Sequence, residues 1–182
     1  MFKKVIGSIL EQYRINPAEY MKLEGIGGHK LYHLEGNALE HSLLVYEAAL
    51  KIFPNNWNMQ RVALLHDIGK IYTSIKKSED DWEYPDHSVC GAFKGILCKF
   101  ISIQDPHFID YQWLIRNHIR PLYWQKNGVN VDTNPWEKNK LDFKLANLDN
   151  LRKLAICDLI GSHPKDAVAQ KELIDYLNNL EF

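Results

Sequence analysis

The chain has 182 residues, 46% of them hydrophobic and 25% charged, which is enough to bury one globular core without disulfide staples. A formal net charge of −1 excludes a broad electrostatic grip on nucleic acid, so any phosphate contact must be local. Three cysteines without a close pair, and apolar stretches too short and too interrupted for a signal peptide or a membrane span, point to the cytoplasm and to no membrane partner.

Phe2, Val5, Ile6, Ile9, Leu10 and Tyr13 recur at helical spacing and predict an amphipathic helix over residues 2–13 that caps the core. From Asn16 to Gly36 the periodicity fails, and Gly25, Gly27, Gly28 and Gly36 predict an ordered loop. His29 and His33 stand four apart there, but the glycines argue against a helix that would make them a metal pair. A second helix is predicted from Asn37, a side chain able to cap it, with Glu40 completing the capping pattern, to about Phe53 before Pro54. Its inward stripe is Ala38, His41, Val45, Ala48 and Ile52. A histidine in such a stripe is commonly a core residue bonded to main chain, so His41 alone signals little.

The third helix, about 57–68, ends in Leu64-Leu65-His66-Asp67-Ile68-Gly69-Lys70. An imidazole and a carboxylate side by side at a buried helix end leave lone pairs that a metal ion satisfies; a solvated helix end is the alternative. Residues 72–84, with Lys76, Lys77, Glu79, Asp80 and Asp81, predict a solvated surface loop. Pro85-Asp86 opens a fourth helix, about 86–103, whose apolar face is Val89, Phe93, Ile96, Leu97 and Phe100. His87 lies in its first turn, where the helix dipole does not favour an imidazolium and a neutral, ligand-competent ring results.

A fifth helix, about 107–119, carries Phe108, Tyr111, Leu114, Ile115 and His118 on one stripe. Residues 120–140 read as irregular, with Tyr123, Trp124 and Trp136 folded onto the core rather than stacked on a base. The sixth helix, about 138–161, aligns Leu141, Leu145, Leu148, Leu151, Ala155 and Leu159, and its Asp158 points toward the apolar side, where a carboxylate needs a cation or donors. A last helix follows Pro164, at about 165–180. The expectation is an all-α, single-domain bundle of about six or seven helices, with its core over about 30–160 and capping helices at both ends of 1–182.

His41, His87, His118 and Asp158 sit at inward or end positions of separate helices, and with His66 and Asp67 they form one shared N and O ligand set without thiolate. Such a set suits a divalent metal such as Mn, Fe, Ni, Co, Zn or Mg. Six ligands can hold one or two ions, with Asp67 as a natural bridge. Phosphate ester hydrolysis needs this help: a side-chain base supplies about 10²- to 10⁴-fold, whereas a bound ion lowers the pKa of its water to about 7.

On these residues the chain resembles the HD-domain metal-dependent phosphohydrolases, whose pattern is a histidine on one helix, His-Asp at the end of the next and a late aspartate. His41, His66, Asp67 and Asp158 match it, and His87 and His118 fall where two-metal members add two histidines. The closest likeness is to the HD portion of bacterial CCA-adding tRNA nucleotidyltransferases. His33-Leu34-Glu35-Gly36-Asn37 leading to His41 is similar to their His-x-Glu-Gly-Asp segment, with Asn37 in place of the aspartate. His66-Asp67-Ile68-Gly69-Lys70 with Thr73, and Asp86-His87 leading to Gly91-Ala92, are also similar. No paired-aspartate nucleotidyltransferase domain precedes, so the resemblance implies phosphatase and 2′,3′-cyclic phosphodiesterase chemistry on nucleotides or RNA ends rather than CCA addition.

Lys70 is the candidate to neutralise charge on a substrate phosphate beside the catalytic Asp67, and Arg120 is a weaker substrate-binding candidate. The competing expectations are a 5′-deoxynucleotidase or (p)ppGpp-type hydrolase of the same superfamily, and a non-catalytic nucleotide-binding module with a vestigial metal site.

Overall fold

Helix α1 (Phe2–Gln12) buries Ile6 and Leu10, with Tyr13 just past its end, in a computed structural model of the chain. The structure describes every residue except 1, 30, 32, 80, 130, 132–140 and 182, and for Phe2 and 141–146 the backbone alone. Val5, predicted on the buried face, is 54% exposed. It sits about 100° around the helix from Ile6, off the line that Ile6, Leu10 and Tyr13 share.

The segment read as loop holds helix α2 (Pro17–Tyr20), capped by the Asn16 side chain, and a 3₁₀ turn (Met21–Gly25). Together they bury Tyr20 and Leu23. Helix α3 (Ala38–Ile52) starts with the expected capping box: Asn37 accepts from the Leu39 and Glu40 amides, and Glu40 accepts from the Asn37 amide. Helix α4 (Trp57–Leu65) gives way to a tight turn at His66–Gly69 and then to α5 (Lys70–Thr73).

Residues 72–84 do not form a plain loop. Strands β1 (Ile75–Ser78) and β2 (Asp81–Glu83) make an antiparallel ribbon, with Ile75 opposite Glu83 and Lys76 opposite Trp82. Ile75 and Trp82 favour extended chain, and the charges help: Lys77 pairs with Glu83 across the ribbon at 3.0 Å.

The single helix predicted over 86–103 is instead α6 (His87–Ala92) and α7 (Lys94–Leu97), broken at Phe93, whose ψ of 128° is extended. Gly91 and Gly95 weaken a continuous helix here, and Gln112 Nε2 takes up the Ala92 carbonyl at 2.8 Å. Phe93, predicted on the apolar face, is 66% exposed, whereas Leu97 and Phe100 are buried.

Helix α8 (Phe108–Asn117) is followed by a 3₁₀ turn (Arg120–Tyr123) and α9 (Trp124–Asn127), so this stretch is more regular than expected. Trp124 is fully buried as anticipated, Tyr123 is 54% exposed, and Trp136 lies outside the described residues. Helices α10 (Leu141–Gly161) and α11 (Ala167–Asn178) complete an all-α fold with one small ribbon. The predicted start of α10 at 138, and the side chains of Leu141 and Leu145, fall outside what is described.

Helix α10 packs on α3 and meets it tightly at Gly161. A Cβ there would come within 2.6 Å of the Val45 side chain and 2.7 Å of its amide, so only glycine permits this approach. That contact brings Asp158 to His41. Among the described residues no helix is long and apolar enough to cross a membrane.

Candidate metal centre

The helices aim a common device at one point. His66 Nδ1 lies 2.7 Å from the Ala63 carbonyl, His87 Nδ1 2.9 Å from that of Tyr84 and His118 Nδ1 2.7 Å from that of Ile115. In every case the acceptor is three residues earlier, at a helix end or entry. A carbonyl can only accept, so each Nδ1 donates and each neutral ring presents the Nε2 lone pair to the interior. Asp86, in the left-handed region at φ 50°, turns the chain into α6 and so places His87; aspartate tolerates that conformation better than most residues.

These nitrogens converge with two carboxylates into two halves. In one, His41 Nε2 lies 3.3 Å from His66 Nε2, 3.0 Å from Asp158 Oδ1 and 3.5 Å from Asp67 Oδ2, and His66 Nε2 is 3.4 Å from Asp67 Oδ2. In the other, His87 Nε2 lies 3.3 Å from His118 Nε2 and 3.2 Å from Asp67 Oδ1, with His118 Nε2 3.6 Å from that oxygen. Asp67 stands between them, one oxygen toward each pair of imidazoles. Gly69 makes the second half possible: a Cβ there would meet the His87 carbonyl at 1.9 Å and the Gly91 amide at 2.7 Å.

The site is desolvated. His41, His66, Asp67 and His118 are at most 2% exposed, while Asp158 and His87, at 13% and 15% of their side chains, form its open side. Burial raises carboxyl pKa values, yet Asp67 is held well below the usual range by Lys70 and His66, and Asp158 is held low by His41 and His66. Both therefore stay ionised, as ligands must. Burial would lower His41, but Asp158 and Glu35 outweigh it and raise its pKa to about 9. For His118 burial prevails and the shift is downward.

A divalent cation fits this donor set. Lys70 Nζ is 2.5 Å from Asp67 Oδ2, yet no donor is aligned on that buried oxygen as a hydrogen bond. Two pairs of Nε2 atoms face each other at 3.3 Å, an arrangement that repels unless a proton or cation lies between. His41, His66 and Asp158, and likewise His66, Asp67 and His118, have ligand atoms within 4.8 Å of one another.

All six predicted ligands are thus brought together, and Lys70 is buried beside them with its ammonium 4.5 Å from the Tyr84 ring centroid. Arg120 opens the 3₁₀ turn two residues past His118 and is half-buried. His29 stays apart: its Nδ1 accepts from the Leu31 amide at 3.2 Å. His33, set aside as half of a metal pair with His29, and Glu35, which carried only a resemblance, reach the centre's edge, where Glu35 Oε1 lies 2.8 Å from both His33 Nδ1 and His41 Nδ1. Their signal was the His-x-Glu spacing just ahead of a ligand helix.

The HD domain family model matches residues 38–178, most of the chain, and the chain belongs to that family, a group of metal-dependent phosphohydrolases. Comparison with curated proteins and with solved structures returns no match.

Proposed function

We propose that this protein hydrolyses phosphoesters of nucleotides or RNA ends, as a phosphatase or 2′,3′-cyclic phosphodiesterase. In this reading His41, His66, Asp67 and Asp158 hold one divalent ion, and His87 and His118 share Asp67 to hold a second. The observation that carries it is the placement of Asp67, whose Oδ2 faces His41 and His66 at 3.5 and 3.4 Å while its Oδ1 faces His87 and His118 at 3.2 and 3.6 Å. When bound, divalent ions supply a water acidic enough to ionise near neutral pH and positive charge beside the phosphoryl oxygens.

The chain's own residues supply the rest. The backbone carbonyls on His66, His87 and His118 fix their tautomers, so no reorganisation is needed at the moment of reaction. Lys70 lines a crevice too narrow to admit a water molecule, together with His33, His41, Tyr84, Gly27 and Gly28. Lys70 is the cation nearest the centre for neutralising charge on a bound phosphoryl group, and Arg120 is the weaker second cation. Burial of Asp67 and His66 keeps bulk water from screening these charges.

The choice of nucleotide or RNA-end substrates rests on the likeness of residues 33–41 to the HD portion of CCA-adding enzymes. The one departure, Asn37 for aspartate, is chemically neutral in this setting, because the residue caps α3 and both side chains cap equally well.

The test is product formation from 2′,3′-cyclic AMP, 3′-AMP, 5′-dAMP, ppGpp and an RNA 3′-phosphate with Mn²⁺, Ni²⁺, Co²⁺ or Mg²⁺. Metal-dependent turnover of the cyclic or RNA-end substrates, lost in Asp67→Ala, supports the proposal. Preference for 5′-dAMP or ppGpp replaces it with the nucleotidase or ppGpp-hydrolase reading. Nucleotide binding that survives chelation without any turnover makes the protein a binding module.

A further inference from the structure

We infer that Glu35 is a positioning residue for the metal centre, which fixes His41 as a ligand and ties it to Asp158; this rests on the metal-centre reading above. The Glu35 side chain is 1% exposed, and its two oxygens are used differently. Oε1 lies 2.8 Å from His41 Nδ1 and 2.8 Å from His33 Nδ1, and Oε2 accepts the His163 amide at 2.9 Å.

His41 is the exception among the four imidazoles of the centre. The other three give Nδ1–H to a carbonyl three residues earlier on their own segment. His41 lies in the first turn of α3, where the carbonyl three residues earlier, that of Ala38, is part of the helix and also accepts the Ser42 hydroxyl, so it does not use that device. Glu35 stands in for it: its Oε1 lies 2.8 Å from Nδ1, off the line of a ring hydrogen bond, and with a cation at Nε2 a carboxylate there would hold the remaining proton on Nδ1 and make the ring a more basic ligand.

The same carboxylate spans the largest gap in the site. Asp158 is on α10, and the chain leaving that helix pairs with the loop ahead of α3: Leu34 N bonds the His163 carbonyl at 3.1 Å and Lys165 N bonds that of Leu31 at 2.9 Å. Glu35 joins this pairing through the His163 amide while touching His41. Ligands from the two ends of the fold are therefore braced by one side chain. The family match begins at residue 38, so Glu35 lies outside it.

The experiment is Mn²⁺ affinity by competition with a chelator, and the visible spectrum of the Co²⁺-loaded full chain, for wild type, Glu35→Ala and Glu35→Gln, alongside product formation from the phosphoester substrates. Outer partners of metal-bound histidines are worth about 10- to 100-fold in affinity. Glu35→Ala is expected to lose that much and to alter the Co²⁺ spectrum. Glu35→Gln, which keeps an oxygen for Nδ1–H, is expected to recover part of both, and it carries the test if the alanine variant does not fold. Folded variants with wild-type Mn²⁺ affinity and an unchanged Co²⁺ spectrum overturn the inference, even if their melting temperature falls. Wild-type protein that binds Mn²⁺ but hydrolyses no phosphoester overturns the proposed function and leaves the Glu35 result standing; wild-type protein that binds no divalent ion overturns both.

Discussion

Helix α4 carries two buried polar places, and they are built on opposite logic. At its middle Arg61 is 1% exposed, with its Nη1 on Asp105 and Tyr111 and its Nη2 on the Arg14 carbonyl; its guanidinium lies 5.0 Å from the Trp57 ring centroid and 5.3 Å from that of Tyr111. Charge meets countercharge, both terminal nitrogens meet acceptors with only Nε left without one, and the planar group lies near two aromatic faces. At its end His66 and Asp67 join three more imidazoles and a second carboxylate, with Lys70 as the one ammonium within ion-pair reach of Asp67 among the described residues. At the first place the charge is matched by the protein's own residues. The second has acceptors in excess of donors, and burial of that excess is costly without a cation. A buried charge that is satisfied is architecture, whereas a buried cluster short of positive charge is a site.

Substitution at the two places should separate these roles. The largest effect is expected at the metal end: Asp67→Ala removes the carboxylate whose two oxygens face the two halves and should cut metal-dependent turnover by at least about 10³-fold, with some loss of metal-free stability because the buried Lys70 loses its partner. Steady-state rates with matched urea titrations read both quantities. Arg61→Ala should cost about 3 kcal/mol by leaving Asp105 without its partner, yet change turnover and metal content little. Loss of bound metal in a folded Arg61→Ala protein would show that the two places are coupled, contrary to this division.

Smaller changes sharpen the contrast inside the centre. His118→Ala touches one half alone, so metal analysis should find fewer ions per chain, with turnover down about 10²-fold; unchanged stoichiometry would remove His118 from the ligand set. Adding Mn²⁺ at about 100 times its dissociation constant should stabilise wild type by about 2.7 kcal/mol, or roughly 5–10 °C in a thermal melt, and chelator should reverse it. Asp67→Ala should show little of that shift, and Arg61→Ala should keep it. The smallest effect is at Asn37, whose replacement by alanine removes a helix cap and should cost about 1 kcal/mol in urea unfolding, with metal affinity nearly intact.

Much of this was legible in one dimension. The stripes that define α3, α4, α8 and α10, the Asn37–Glu40 capping box and the placement of each ligand at an inward or terminal position of a helix all follow from spacing, because helix geometry is local and its period is fixed. The set His41, His66, Asp67, His87, His118 and Asp158 could be assembled because six polar groups on apolar stripes need one another. Where tertiary contacts compete with local preference the reading failed: Val5 was placed on the wrong side of α1, the ribbon at 75–83 was hidden in a run of charges, and the helix expected through Phe93 is broken. Other features belong to the folded chain alone. The division of the ligands into two halves by the oxygens of Asp67, the ion pair from Lys70 to that residue and the reach of Glu35 to both His41 and His163 join segments far apart in sequence. Spacing fixes which face of its own helix a side chain occupies, but only the crossing of α3 with α10 and of the His66–Gly69 turn with α6, set by the close approaches at Gly161 and Gly69, decides which of those faces meet.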